Sequence, residues 1–264
     1  MAQGRLLKSC DVLLLHSKRN LRGWLIQRGT HSHWNHALMV HVVKGAALEC
    51  ERTLVIDPKM SGLEIDELGY YLQSHDRYDV GVKRFKQGWF HNDSDTAGVC
   101  CRTRVLELAL RKVNDSPHSG QIWRTVTRFL RHIKLAFHLK QQMKPPGQKL
   151  ISTRGGEPLD VTAYTCSGFI QWCYYHAVDQ ALQKDSLRND RIREAIFNPR
   201  LSMEADDHSL LSTTPADLAR SDKLIWKYVV KNGVVWEVSS EEEINSITGW
   251  GKTPKRLLRM KRRC

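Results

Sequence analysis

The chain has 264 residues, 41% of them hydrophobic and 26% charged; that is long and apolar enough to bury a sizeable core, and it excludes a disordered or fibrous protein. With 41 Lys and Arg against 28 Asp and Glu, the formal net charge is +13, which predicts attraction to nucleic acid, anionic lipid head groups or an acidic cell-wall polymer. No stretch approaches the roughly 18 apolar residues of a membrane span, and the first residues lack the apolar run of a secretory signal, so a cytoplasmic or peripheral protein is expected.

In chain order, residues 12–15 read as a short buried strand, and residues 20–28 as a short helix with Leu21, Trp24 and Leu25 on one side. Gly29 ends that helix. A polar loop leads to the run 37–43, apolar except for His41, and a second strand is expected around 47–49. A third follows around 53–56, before Asp57-Pro58 turns the chain. Residues 67–73 look helical, and 80–85 alternate like a strand. After a polar loop at 86–96, residues 96–113 have helical spacing at Val99, Val105, Leu106 and Leu110.

An unusual piece comes next. Ile122, Val126, Phe129, Leu130, Ile133 and Phe137 recur at helical spacing with Arg124, Arg128, Arg131 and Lys134 between them, until Pro145-Pro146-Gly147 stops the pattern. Residues 169–182 read as a helix apolar nearly all round, and 183–208 as a charged loop. Two short strands within 225–238 flank Asn232-Gly233, a hairpin signal. The expected organisation is one α+β domain over 1–251, an antiparallel sheet packed on helices with a basic amphipathic helical insert at 115–158, followed by a basic flexible tail at 252–264.

The seven cysteines, at 10, 50, 100, 101, 166, 173 and 264, form no CxxC pair and fit free thiols in a reducing compartment better than a disulfide framework. One of them stands apart. A cysteine nucleophile needs a lowered pKa, a base in reach and donors aimed at the developing oxyanion. In Tyr164-Thr165-Cys166-Ser167-Gly168-Phe169 the sulfur falls where a loop becomes a helix, so unpaired first-turn amides and the helix dipole favour the thiolate. The small residues Ser167 and Gly168 keep the approach open. Among the clustered histidines His31, His33, His36 and His41, His36 stands at the start of an apolar strand and is the expected base. Glu49, ending the neighbouring strand, is a candidate third residue that would orient the imidazole.

These residues carry a resemblance. Cys166-Ser167-Gly168-Phe169-Ile170-Gln171-Trp172 resembles the nucleophile motif of the NlpC-type papain-like hydrolases. The order, histidine before cysteine, resembles their circularly permuted branch, the YiiX/YaeF-like proteins. Cys10-Asp11-Val12-Leu13-Leu14 resembles that branch's first strand, with Cys10 where glycine is usual. Ser32-His33-Trp34-Asn35-His36-Ala37 resembles its histidine motif, with Asn35 replacing the customary serine. Leu48-Glu49-Cys50 resembles the following strand, and Thr214-Pro215-Ala216-Asp217-Leu218 a late segment. The likeness covers roughly residues 10–85 and 160–230, and leaves the insert and tail outside. It implies a papain-like α+β core and a triad of Cys166, His36 and Glu49, with Tyr164 and Ser167 lining the substrate site.

The implied chemistry is hydrolysis of an amide in a peptide or peptidoglycan fragment, which without an export signal would need delivery by a phage particle or lysis. Three other readings stay open. One is a lipid or ester acyl hydrolase or acyltransferase, with residues 122–140 lying on an anionic membrane. Another is a non-catalytic basic module that touches a polyanion through 252–263. A third is a metal site built from His31, His33, His36 and His41, but no HExxH or partnered acid motif accompanies them, so no metal or cofactor is expected. Oligomeric state is not legible from the sequence.

Overall fold

The computed structural model describes residues 6–18, 21–44, 51–59, 62–111 and 165–250. The proposed insert, the tail, Glu49 and Tyr164 lie outside them. In chain order the elements are β1 (Val12–Ser17), α1 (Leu21–Thr30), β2 (His36–Lys44), β3 (Glu51–Lys59), β4 (Gly62–Glu67), α2 (Leu68–Gln73), β5 (Tyr78–Phe85), α3 (Gly88–His91) and α4 (Thr96–Arg111). Then follow α5 (Cys166–Ala181), α6 (Arg188–Glu194), α7 (Asp207–Leu211), α8 (Pro215–Arg220), β6 (Leu224–Lys231), β7 (Val234–Glu237) and α9 (Glu241–Thr248).

The seven strands form one sheet in the order β4-β3-β2-β1-β5-β6-β7, antiparallel at every pairing. This is the α+β class expected. Alternation along β1 sends Val12 and Leu14 to one face, against α4 and α5, and Leu13 and Leu15 to the other, beneath α2. Both faces are therefore covered, and β1 reads as an unbroken apolar run because it is buried from both sides. Asn232 and Gly233, both at positive φ (52° and 78°), close the β6–β7 hairpin. On the α2 face the described residues leave a hollow of about 430 Å³, lined by Leu13, Leu68, Val80 and Val230 among others.

Several expectations are corrected. Asp57-Pro58 does not turn the chain but continues β3 to Lys59. The proline is tolerated because the register with β2 runs only to Met39–Ile56, so no ladder hydrogen bond to β2 is needed at Pro58. The expected strand at 47–49 falls outside the described residues. The unexpected β4, Gly-Leu-Glu-Ile-Asp-Glu, is an edge strand whose acids suit an unpaired border but mask its apolar pair. Within the presumed loop 183–208, α6 forms around one buried side chain, Ile192, too few apolar positions to show a period. In α1, Leu21, Trp24 and Leu25 share a side as expected, yet they face outward, at 75%, 49% and 39% exposure. Gln27 is buried instead, with its amide donating to the His33 carbonyl at 2.5 Å.

Two buried charges lock the sheet to its surroundings. Asp11 is fully buried and takes a two-pronged contact from Arg84, Nε at 2.8 Å and Nη2 at 2.7 Å, which ties β1 to β5. Lys83, 1% exposed, donates to the carbonyls of Leu218, Ala219 and Ser221 at 3.0, 2.5 and 3.0 Å, and its ammonium lies 4.7 Å above the Trp226 ring. It thereby caps the carbonyl end of α8, where a cation is favoured by the helix dipole. Burial pulls Lys83 down to about 7. Replacing Lys83 with Met keeps the apolar stem but leaves those carbonyls without a donor. It should lower stability by roughly 1–3 kcal/mol in urea unfolding, with the folded spectrum intact.

Candidate active site

Cys166 is the first residue of α5, and the local sequence explains why the helix starts there. Thr165 has extended backbone (φ −81°, ψ 152°) and its hydroxyl oxygen accepts the Gly168 amide at 2.9 Å, an N-cap. The same hydroxyl donates toward the carbonyls of Leu211 and Thr213, at 3.0 and 2.8 Å. Ser167, fully buried, donates to the Thr213 carbonyl at 2.7 Å. The helix mouth is thus pinned to the loop after α7. Gly168 allows the contact: a Cβ there would overlap the Leu211 backbone, which has no side-chain freedom to yield.

This placement corrects the role expected for Ser167. Its hydroxyl is fully buried and is consumed in fastening α5. The small size at 167 and 168 serves packing, which in sequence looks the same as an open approach.

His36 is the first residue of β2. Its imidazole is near enough to Cys166 for each group to shift the other, and the Ala37 amide acts on the sulfur as well. On its other side, His36 Nε2 lies 2.6 Å from Asp57 Oδ1. Asp57 is 2% exposed. Its second oxygen accepts the Tyr71 hydroxyl at 2.6 Å, and Lys59 stands 3.5 Å away. The Tyr71 oxygen also lies 2.9 Å from Asp66, while Lys59 reaches Glu64 and Asp66 at 2.5 and 3.2 Å. The carboxylate is therefore fixed in place by two strands and a helix before it meets the imidazole.

The electrostatics follow from this chain of contacts. Burial opposes a charge on Cys166, but the charge of His36, its hydrogen bond and the Ala37 amide outweigh it and hold the thiol below its ordinary range. Burial likewise opposes the imidazolium; the Cys166 thiolate, then Asp57, lift His36 to about 10. Burial would raise Asp57, yet hydrogen bonds from His36 and Tyr71 keep it below the usual carboxylate range. All three shifts favour the charged forms of Cys166, His36 and Asp57 over the neutral ones. The other shifted thiols go the opposite way: burial pushes Cys101 up to about 12 and raises Cys10 and Cys173 well above the ordinary value. Cys166, at intermediate exposure, is the described cysteine whose thiol is held below its ordinary range.

The expected third residue, Glu49, lies outside the described residues. The imidazole nitrogen it was to orient is held by Asp57. The signal was present but read as something else, because Asp before Pro is a common turn pair. Its true meaning lies in the β2–β3 register, which runs from Lys44–Glu51 to Met39–Ile56 and so brings the end of β3 beside the start of β2. Thr214-Pro215-Ala216-Asp217 proves to be a capping box: Thr214 and Asp217 exchange hydrogen bonds at 3.2 and 2.9 Å with Pro215 at the first helical position.

The four clustered histidines do not converge. His31 sits exposed in a turn at φ 50°, His41 lies further along β2, and His36 serves Cys166. His33 turns inward to a different set of partners, His16 and Asp79. Among the described residues no helix is long and apolar enough to cross a membrane.

No protein-family model and no curated protein matches the chain. Among solved structures it is similar to the crystal structure of the metalloprotein YiiX from Escherichia coli O157:H7 (DUF1105), at 12% identity and a TM-score of 0.44, with 89% of this chain and 99% of that one covered.

Proposed function

We propose that this chain is a papain-like thiol hydrolase of the permuted, histidine-first type, in which Cys166 is the nucleophile, His36 the base and Asp57 the residue that orients it. The observation that carries the reading is the buttressed base: an imidazole 2.6 Å from a buried carboxylate that acts, by charge, on a sulfur at a helix mouth. The thiolate attacks a carbonyl carbon, forming a C–S bond. The oxyanion is met by the first-turn amide of Cys166. His36 donates its proton to the departing nitrogen or oxygen, leaving an acyl-enzyme. Water, deprotonated by His36, then releases the acid and frees the thiol.

The substrate class we favour is an amide in a peptide or peptidoglycan fragment. The +13 charge supports a substrate that carries carboxylates, since opposite charge raises the encounter rate. A second reading, a lipid or ester acyl substrate, is favoured by the outward face of α1, where Leu21, Trp24 and Leu25 are exposed and Arg28 lies 5.4 Å from the Trp24 ring centre. Activity-based labelling tests the common mechanism: an iodoacetamide probe at neutral pH, followed by peptide mapping, should modify Cys166 ahead of exposed Cys100. Labelling of Cys100 with Cys166 left free would end the proposal. Release of product from a cell-wall peptide, or instead from a fatty-acyl ester in anionic vesicles, separates the two substrate classes.

A further inference from the structure

A second cluster of ligating side chains lies apart from Cys166, and the mechanism does not use it. His16 of β1, His33 of the loop before β2 and Asp79 of β5 direct one atom each to a common point. His16 Nδ1 is 3.1 Å from His33 Nε2 and 3.3 Å from Asp79 Oδ2, and His33 Nε2 is 3.4 Å from the same oxygen. We propose that His16, His33 and Asp79 form a binding site for a divalent transition ion, zinc in the first instance, distinct from the thiol centre.

Three observations support this. The first is the size of the triangle. Zinc binds nitrogen and carboxylate oxygen at about 2.0–2.1 Å in a tetrahedron, so donors around it stand about 3.3–3.4 Å apart, close to the separations found. The second is proton bookkeeping. If both facing ring nitrogens carry a proton, the contact between them is repulsive; if only one does, the other points a lone pair at the carboxylate. No placement of protons on neutral rings satisfies all three contacts, whereas one cation at their centre satisfies them together. The third is the surroundings. Lys18 Nζ is 2.8 Å from Asp79 Oδ1, the oxygen turned away from the cluster, which leaves Oδ2 as a single-point ligand. Lys18 is itself held by the His75 carbonyl and the Asn232 side chain, at 2.9 and 3.4 Å. His33 and Asp79 are 5% and 2% exposed, and Trp34 and Trp250 pack edge-on around the His33 ring, at 4.9 and 5.5 Å. Among the described residues, His16 leaves a solvent-facing approach, at 20% exposure.

The ion would tie the loop at 31–35 to β1 and β5, three residues before His36 begins β2. His33 and its partners would then be positioning residues, acting on the thiol chemistry only through where His36 stands.

Metal binding by the full-length Cys166→Ala protein tests the site without the thiol as a competing ligand. After chelator treatment, titration with Zn²⁺ by calorimetry should show one ion per chain. Co²⁺ in its place should give the visible bands of a four-coordinate site. Loss of one of three ligands should weaken Zn²⁺ binding at least about a hundredfold in His16→Ala and in Asp79→Asn. His16 is partly exposed, so its variant should keep the parent's circular dichroism even if the buried Asp79 variant does not. Substoichiometric binding to the Cys166→Ala protein, or unchanged affinity in a folded His16→Ala variant, overturns the assignment. Binding seen only when Cys166 is present would move the ion to the thiol centre and overturn it equally.

Discussion

Replacing His36 with Ala should slow alkylation of Cys166 at pH 7 by about two- to threefold and reduce turnover of an activated ester by a thousandfold or more. The two numbers differ because they ask different things of the imidazole. Alkylation needs only the thiolate. A free thiol near its ordinary value of about 8.5 is a few per cent ionised at pH 7, so full ion pairing raises the thiolate about 30-fold. A less basic thiolate is also a weaker nucleophile, by about tenfold or more for a thiol acidic enough to be fully ionised at pH 7, which brings the gain down to about two- to threefold. Without His36, burial becomes the largest influence on Cys166 and acts to raise it. The variant's alkylation rate should therefore keep climbing through pH 9, while the parent's levels off at lower pH. Turnover needs the imidazole again, as base for the water that releases the acyl-enzyme and, for an amide, as acid for the leaving nitrogen, so its removal costs far more. In the parent, turnover should fall as pH drops through the lowered Cys166 value and fall again as pH rises through about 10, where His36 loses its proton. Stopped-flow alkylation and p-nitrophenyl ester hydrolysis across that range check both limbs. Identical alkylation profiles for parent and variant would mean that the imidazole does not activate the sulfur.

How much of this was legible in the residues depends on the range of the interaction that decides each one. Local chemistry was readable. A small polar residue before Cys166 announces a helix cap, an unbroken apolar run announces β1, and Asn-Gly announces the β6–β7 hairpin. What could not be read was pairing across the sheet. Asp57 becomes the partner of His36 only through the β2–β3 register, and nothing near Asp57 in sequence signals it. The same holds for His33: in the loop before His36 it looked like one of four clustered candidates, but its partners come from β1 and β5, 17 residues before and 46 after it in the numbering. Lys83 looked like the polar half of an alternating strand, yet the C-terminal end of α8, more than 130 residues on, turns it into a buried cap. Exposure of the apolar side of α1 is a further case. Periodicity shows that Leu21, Trp24 and Leu25 share a side but does not reveal which way that side points.

The Asp57→Asn variant should fold, retain His36 and Cys166 in contact, and lose between a hundredfold and ten-thousandfold in turnover. Asparagine is nearly isosteric, and Tyr71 keeps a second acceptor in Asp66 at 2.9 Å, so the hydrogen-bonded frame around position 57 survives the change. What disappears is the negative charge 2.6 Å from His36 Nε2. That charge selects the tautomer in which Nε2 carries the proton and leaves the other nitrogen for the sulfur, and it stabilises the imidazolium once formed; loss of the corresponding carboxylate in a serine triad costs about 10⁴. The pH profile should move with it. With Asp57 neutral, His36 loses one of the influences that lift it to about 10, so the upper limb of the profile should shift to lower pH while the lower limb, set mainly by Cys166 and His36 acting on each other, moves less. Glu49→Gln is the matched control, since the same charge is removed from the residue that the sequence alone favours. If Glu49→Gln abolishes turnover and Asp57→Asn does not, the imidazole is oriented by Glu49 and the contact with Asp57 serves only to hold β2 against β3.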